Sequence, residues 1–127
     1  MSINATEKIS SFTQLRAWQE ARQLAGDVYR LSQAFPPEER FGLTSQIRRS
    51  SISVAGNIAE GFSRNSPKDK SQFYMIALGS LTETLSHGYI AYDLKYISEE
   101  KLRLLEQKTT DLHKMINGLI KSAQKRM

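Results

Sequence analysis

The sequence predicts an all-α protein, an antiparallel up-down-up-down four-helix bundle. Three observations predict it. Apolar residues recur every three or four positions along four separate segments. The three prolines and the capping serines fall between those segments. Strand signals are missing, with no clear period-two run and no Asn-Gly hairpin turn. Short connections between amphipathic helices make consecutive helices antiparallel neighbours. At 127 residues the chain reads as one domain, residues 1–127, with 39% hydrophobic and 24% charged residues, enough apolar matter for a packed core.

The first helix, expected over residues 13–35, carries Leu15, Trp18, Ala21, Leu24, Val28, Leu31 and Phe35 at steps of three or four. "FPPEERFG" ends it, because proline cannot continue a helix and disfavours helical backbone in the residue before it. The second, over 44–63, places Ile47, Ser51, Val54, Ile58 and Phe62 on one side. "RNSPKD" opens the third, over 67–97, with Ser66 as N-cap, Pro67 at the first helical position and Asp69 placed for a capping box. Phe73, Ile76, Ala77, Leu81, Leu85 and Tyr92 form its stripe. Ser98 then caps a fourth helix over 99–125, where Glu99 and Glu100 suit the positive end of the helix dipole. Leucine recurs there at sevens (Leu105, Leu112, Leu119), with Leu102, Ile116 and Ala123 offset by four, a heptad-like seam.

Composition excludes several functions. No cysteine is present, so disulfides, thiolate catalysis and Cys-based zinc sites have no home. No apolar run approaches the roughly 20 residues of a membrane span. The start, "MSINATEKISSF", has no hydrophobic signal core, which points to the cytoplasm. Histidines are only two, His87 and His113, and neither stands in the Glu-x-x-His spacing of a bundle metal site. Glu60, Glu83 and His87 make a poor ligand set. No glycine-rich phosphate loop appears either, so no metal, cofactor or catalytic residue is expected.

The net charge is +5, and it is uneven. From Ser98 onward there are seven Lys or Arg against four acids, and "INGLIKSAQKRM" contains no acid. Lys114, Lys121, Lys125 and Arg126 are therefore candidates for contact with a polyanion; the alternative is a solvated helix end whose cations complement the dipole. Several phosphate contacts would give salt-sensitive binding without base readout. The tyrosines (Tyr74, Tyr89, Tyr92, Tyr96) read as core or interface.

"QIRRSSISVAGNIAEGFSR" is unusually rich in small and polar residues for a helix. On a helical wheel Arg49, Ser53, Gly56 and Glu60 gather nearly opposite the core side, with Gln46 and Asn57 beside them. Glycine in a helix costs about 1 kcal/mol relative to alanine, so small residues here suggest close packing by a neighbour. Arg49, Ser53, Gly56, Asn57 and Glu60 are the candidate subunit interface. Arg49 and Glu60 lie three turns apart and cannot pair with each other; Glu60 has Arg64 four residues on or a partner in another subunit. Arg48 and Arg49 are either phosphate contacts or structural and interfacial groups. Gly79, Ser80 and Gly88 suggest close helix crossing in the third helix.

"FPPEERFGLTSQIRRSSISVAGNIAEGFSR", followed by "FYMIALGSLTE", resembles the bacterial four-helix-bundle proteins encoded in intervening sequences of large-subunit ribosomal RNA genes. That family is similar in turn to the accessory variability protein of diversity-generating retroelements. The resemblance runs from about Phe12 to about Ile97. Its most specific block is Gln46, Arg48, Arg49, Asn57, Ile58, Ala59, Glu60 and Gly61, while the fourth helix shares only the bundle period. It implies a five-membered ring of identical subunits and a non-enzymatic accessory role, in which a basic surface meets RNA or DNA and a nucleic-acid-processing protein. The rival reading is a protein-interaction scaffold without nucleic acid.

Overall fold

The computed structural model describes residues 8–127. The expected lack of a hydrophobic signal core rests partly on residues 1–7, outside the described residues. Four helices make up most of the described chain: α1 (Arg16–Ser32), α2 (Leu43–Ser63), α3 (Pro67–Asp93) and α4 (Glu99–Gln124). Two 3-10 turns, Phe12–Gln14 and Pro37–Glu39, precede α1 and α2, and no strand occurs among the described residues.

Two helices start where serine marks them. Ser66 Oγ accepts the Asp69 N–H at 3.1 Å, with Pro67 opening α3. Ser98 Oγ accepts the Lys101 N–H at 3.2 Å. Each satisfies one of the backbone donors that a helix start leaves unpaired. The return bond from the Asp69 side chain does not form, so the expected capping box is half made.

Two helices are shorter than their periodicity predicts. The first begins at Arg16 rather than at residue 13, because Ser11 and Gln14 build a capping box over the preceding 3-10 turn. It also ends at Ser32, with Phe35 turned into the core ahead of Pro36. The third stops at Asp93 rather than at 97. Lys95 adopts a left-handed φ of 66°, the Tyr96 N–H bonds Ala91 O, and the Lys95 N–H bonds Tyr92 O, both at 2.9 Å. That pair of bonds is a Schellman closure, usually signalled by glycine; a lysine in its place hides it from sequence.

Interhelical contacts fix the register. Arg49 pairs with Glu83, the Thr84 hydroxyl donates to Ser50 Oγ at 2.8 Å, Ser53 Oγ lies 2.8 Å from Ser80 Oγ, and Gly61 lies against the Tyr74 ring. Residue numbers fall on α3 as they rise on α2, which is the antiparallel order. Gly88 against Leu105 and Tyr89 donating to Glu106 give the same order for α3 and α4. Chain neighbours are neighbours in the bundle, and α4 closes more loosely on α1. Across that looser seam Lys108 reaches Asp27. Burial would raise the Asp27 pKa, but hydrogen bonds and charge from Lys108 and Arg30 outweigh it and hold the carboxyl below its usual value.

The core is built mostly from the predicted stripes, although Ile76 and Tyr92 of the third-helix stripe are exposed. Leu24 and Val28 of α1, Ile47, Val54 and Ile58 of α2, Leu81 of α3, and Leu102, Leu112 and Ile116 of α4 are buried. Each fully buried aliphatic side chain contributes about 1.5–3 kcal/mol before entropy is counted. The α1–α2 and α3–α4 connections are fastened to each other at one end of the bundle. The Phe35 and Tyr96 rings lie 5.6 Å apart, and Tyr96 Oη donates to Glu39 Oε2 at 2.9 Å. Glu39 Oε1 also accepts the Leu43 N–H at 3.2 Å, at the start of α2.

Candidate nucleic-acid interface

Beyond Asp111 the chain has no acid. Lys114, Lys121, Lys125 and Arg126 are exposed, and none joins an ion pair or side-chain hydrogen bond among the described residues. Lys114 and Lys121 are seven residues apart and Lys125 four further on, so the three share one stripe of α4. At 1.5 Å per residue they are spaced by about 10 and about 6 Å along the axis. Gly118 stands between them, with nothing within 4 Å of where a Cβ would be.

Lys114 borders α3, and Lys121 and Lys125 continue outward along the exposed side of the helix. A recess of about 300 Å³ opens between Leu81, Thr82 and Leu85 of α3 and Thr110, His113 and Lys114 of α4. In antiparallel order the start of α3 lies beside the end of α4, which puts Lys68 and Lys125 at the same end of the bundle. Lys68 shares the Thr82 stripe, since Lys68, Met75 and Thr82 are spaced by sevens. Electrostatics supports the register, because the Arg126 charge is felt at Lys70 and Tyr74, both near the start of α3. Burial, then Arg126, pushes the Lys70 ammonium below its usual pKa. Burial raises the Tyr74 phenol, and Arg126 partly offsets that.

Two other cations at this end serve the fold. Lys70 Nζ donates to Phe62 O at 2.6 Å and to Gly61 O at 3.4 Å, capping the negative end of α2. Arg64 pairs with Glu60 at 3.0 Å and lies over the Phe73 ring, 4.6 Å from its centroid. Lys68 was not among the sequence candidates, although its seven-residue spacing from Met75 and Thr82 was there to find.

The paired arginines have separate surroundings. Arg48 Nε donates to Ser32 Oγ at 2.7 Å, its Nη2 lies 3.4 Å from Tyr29 O, and its guanidinium covers the Tyr29 ring at 4.6 Å. It is a strut between α2 and the end of α1. Arg49 donates to Gln46 Oε1 at 3.0 and 3.2 Å and pairs with Glu83, which also meets His87 Nε2 at 3.2 Å. The partner that Arg49 needs thus comes from α3 of the same chain.

The five interface candidates divide. Arg49 and Ser53 contact α3, and Asn57 Nδ2 donates to Ser53 O at 2.8 Å. Glu60 takes its local partner Arg64. Gly56 alone faces open space. Much of the small-residue content of α2 therefore serves the α2–α3 seam, where Ser50 and Ser53 meet Thr84 and Ser80 and Gly61 lies against Tyr74. Outside that seam Ile52, Met75, Ile76 and Ile90 are exposed. Between Ser71 and Tyr92 the only titratable charges on α3 are Glu83 and His87, so its outer face is uncharged. Among the described residues, no three Asp, Glu or His side chains gather in a way that could hold a metal.

Fold and surface together define a small antiparallel four-helix-bundle protein with an unpaired cationic stripe and an uncharged outer face. The sequence profile of the 23S rRNA-intervening sequence protein family matches residues 13–118, and the chain belongs to that family. In structure it is similar to a protein of unknown function from the S23 ribosomal protein family of Bacteroides thetaiotaomicron VPI-5482, with a TM-score of 0.76 and 24% identity. The match covers 83% of this chain and 98% of the other, and the likeness is one of fold. No curated protein matches the chain. No helix among the described residues is long and apolar enough to cross a membrane.

Proposed function

We propose that this chain is a non-enzymatic homo-oligomeric bundle, assembled as a pentamer in the cytoplasm, that acts as an accessory or scaffold protein on nucleic acid, with RNA as its ligand. The observation that carries this reading is the set of exposed cations on and just beyond α4, Lys114, Lys121, Lys125 and Arg126, without carboxylate partners among the described residues. Like charges kept together without partners work against a compact state, and a polyanion relieves them. In a ring of identical copies a weak patch is repeated, and each phosphate neutralised releases condensed counterions.

The test is fluorescence anisotropy with RNA and with duplex DNA across a salt series, with mass followed by light scattering. Affinity for RNA should fall steeply with salt, as several phosphate contacts per assembly require. Reversing Lys121, Lys125 and Arg126 to glutamate should abolish binding and leave the assembly intact. No binding at low salt would end the nucleic-acid reading. Gly56→Leu should lower the mass without unfolding the subunit; the wild-type mass would remove that face from the interface. The exposed apolar side chains Met75, Ile76 and Ile90 of α3 favour a second reading, a protein-interaction scaffold with no nucleic-acid partner. A protein partner that binds normally while RNA does not would decide for it.

A further inference from the structure

The outer groove between α3 and α4 has a composition unlike the rest of the surface. Its α3 wall carries Lys68, Met75 and Thr82 on one stripe, and its α4 wall carries Lys114, Lys121 and Lys125 on another. The acid on its rim is Glu106, at the far end, where Tyr89 and Arg103 already occupy its oxygens. Those two hydrogen bonds, Tyr89 first, hold the Glu106 carboxyl below its usual pKa. Along the α3 axis Lys68 lies about 21 Å from Thr82 at 1.5 Å per residue, a span of several nucleotides of extended chain. At its upper end the recess has a floor of Leu81 and Leu85, with Thr82, Thr110 and His113 around it. An apolar floor with hydroxyl and imidazole groups at its edge suits a flat heteroaromatic ring that needs both face contact and edge hydrogen bonds.

We infer that this groove holds a single-stranded segment of nucleic acid, its phosphates on Lys68, Lys114, Lys121 and Lys125 and one unpaired base in the recess beside His113. The inference rests on the RNA-binding reading above and adds the place and the strandedness. Cations on both walls neutralise a backbone that runs between them, whereas a patch on one helix would touch it from one side only. A duplex keeps its bases stacked inside and offers the recess nothing, so it can use the cations alone. An acidic polypeptide would likewise use the cations and leave the recess empty.

The experiment compares one RNA oligonucleotide as a single strand and in a duplex, by anisotropy across salt, with the full chain. Wild type should bind the single strand more tightly than the duplex. Lys68→Gln should weaken both several-fold and reduce the salt slope by about one. Thr82→Phe should fill the recess from an exposed position, with circular dichroism confirming the fold. It should weaken the single strand about tenfold and leave the duplex unchanged. Unchanged single-strand affinity in both variants, with RNA still bound, would remove the groove and leave the wider reading standing. Equal affinity for strand, duplex and polyglutamate would also overturn it. Wild type binding neither RNA form would sink both readings together.

Discussion

At the end of the bundle where α1 passes to α2 and α3 passes to α4, acids slightly outnumber bases: Glu38, Glu39, Asp93, Glu99 and Glu100 stand against Arg30, Arg40, Lys95 and Lys101. At the opposite end, where α1 begins, α2 turns into α3 and α4 finishes, Arg16, Arg64, Lys68, Lys70, Lys121, Lys125 and Arg126 stand against Glu20, Glu60 and Asp69 among the described residues. At the first end side chains knot the two connections together, through the Phe35–Tyr96 contact and the Glu39 hydrogen bonds to Tyr96 and Leu43. At the second end order comes from close backbone approach, with Gly61 under the Tyr74 ring, and from Lys70 on the α2 carbonyls. Glu39, Lys70 and Arg64 each hold something in the fold. Lys68, Lys121, Lys125 and Arg126 join no ion pair or side-chain hydrogen bond among the described residues; within the fold, the cations at the end of α4 complement its dipole.

The comparison breaks most severely if the knot is removed. Phe35 is 6% exposed, so Phe35→Ala should cost about 3 kcal/mol or more in denaturant unfolding at fixed protein concentration. RNA affinity should stay unchanged per folded molecule, because the cations lie at the other end. Gly61→Ala is the matching probe at the basic end. A Cβ there would stand 2.6 Å from Tyr74 Cε1 and 3.2 Å from Lys70 O, and the buried ring has little room to move. A cost of about 1–3 kcal/mol is expected. Gly56→Ala, by contrast, meets open space and should stabilise the subunit by up to about 1 kcal/mol. Equal midpoints for the two alanine variants would show that α2 and α3 are not in close contact at Gly61.

A smaller effect separates the ends by pH. The hydrogen bond to Glu39 is the main cause raising the Tyr96 phenol above its usual pKa. A raised folded pKa means the contribution is fully present below about pH 10, the unfolded tyrosine value, and is lost as pH climbs through the folded one. Tyr96→Phe should therefore lower the midpoint at pH 7, by less than Gly61→Ala does. The gap from wild type should close as pH rises past 10. A gap constant from pH 7 to 11 would mean the bond to Glu39 does not fasten the connections.

What the sequence reveals is what lies within one helix. The core stripe of Ile47, Val54 and Ile58, the caps Ser66 and Ser98, and the acid-free end of α4 all follow from local spacing. What it hides depends on which helix lies alongside. Glu83 as the partner of Arg49 and Ser80 opposite Ser53 require the α2–α3 register, which no single helical period contains. For that reason Arg49 and Ser53 read as part of an intersubunit face, when they meet Glu83 and Ser80 within the chain. The closure at Lys95 was hidden differently, by a side chain in a conformation that glycine usually signals. Lys68 was overlooked because it lies 46 residues before Lys114 in sequence, and only the fold sets its stripe beside α4.

The smallest expected change is the most informative about the basic end. In the double variant Lys121→Gln, Lys125→Gln two opposing terms meet. The last turn of α4 loses cations that complement its dipole, worth about 0.3–1 kcal/mol, while repulsion from Lys68 and Arg126 is relieved. Exposed substitutions without partners usually stay within about 0.5 kcal/mol, and the net should fall there. Added salt should discriminate further. Screening weakens repulsion between exposed charges, so moving from low to physiological ionic strength should stabilise wild type more than the variant. A loss above about 1 kcal/mol, or a salt response equal to wild type, would make these lysines part of the fold. With that, the reason to look for a ligand at this end would disappear.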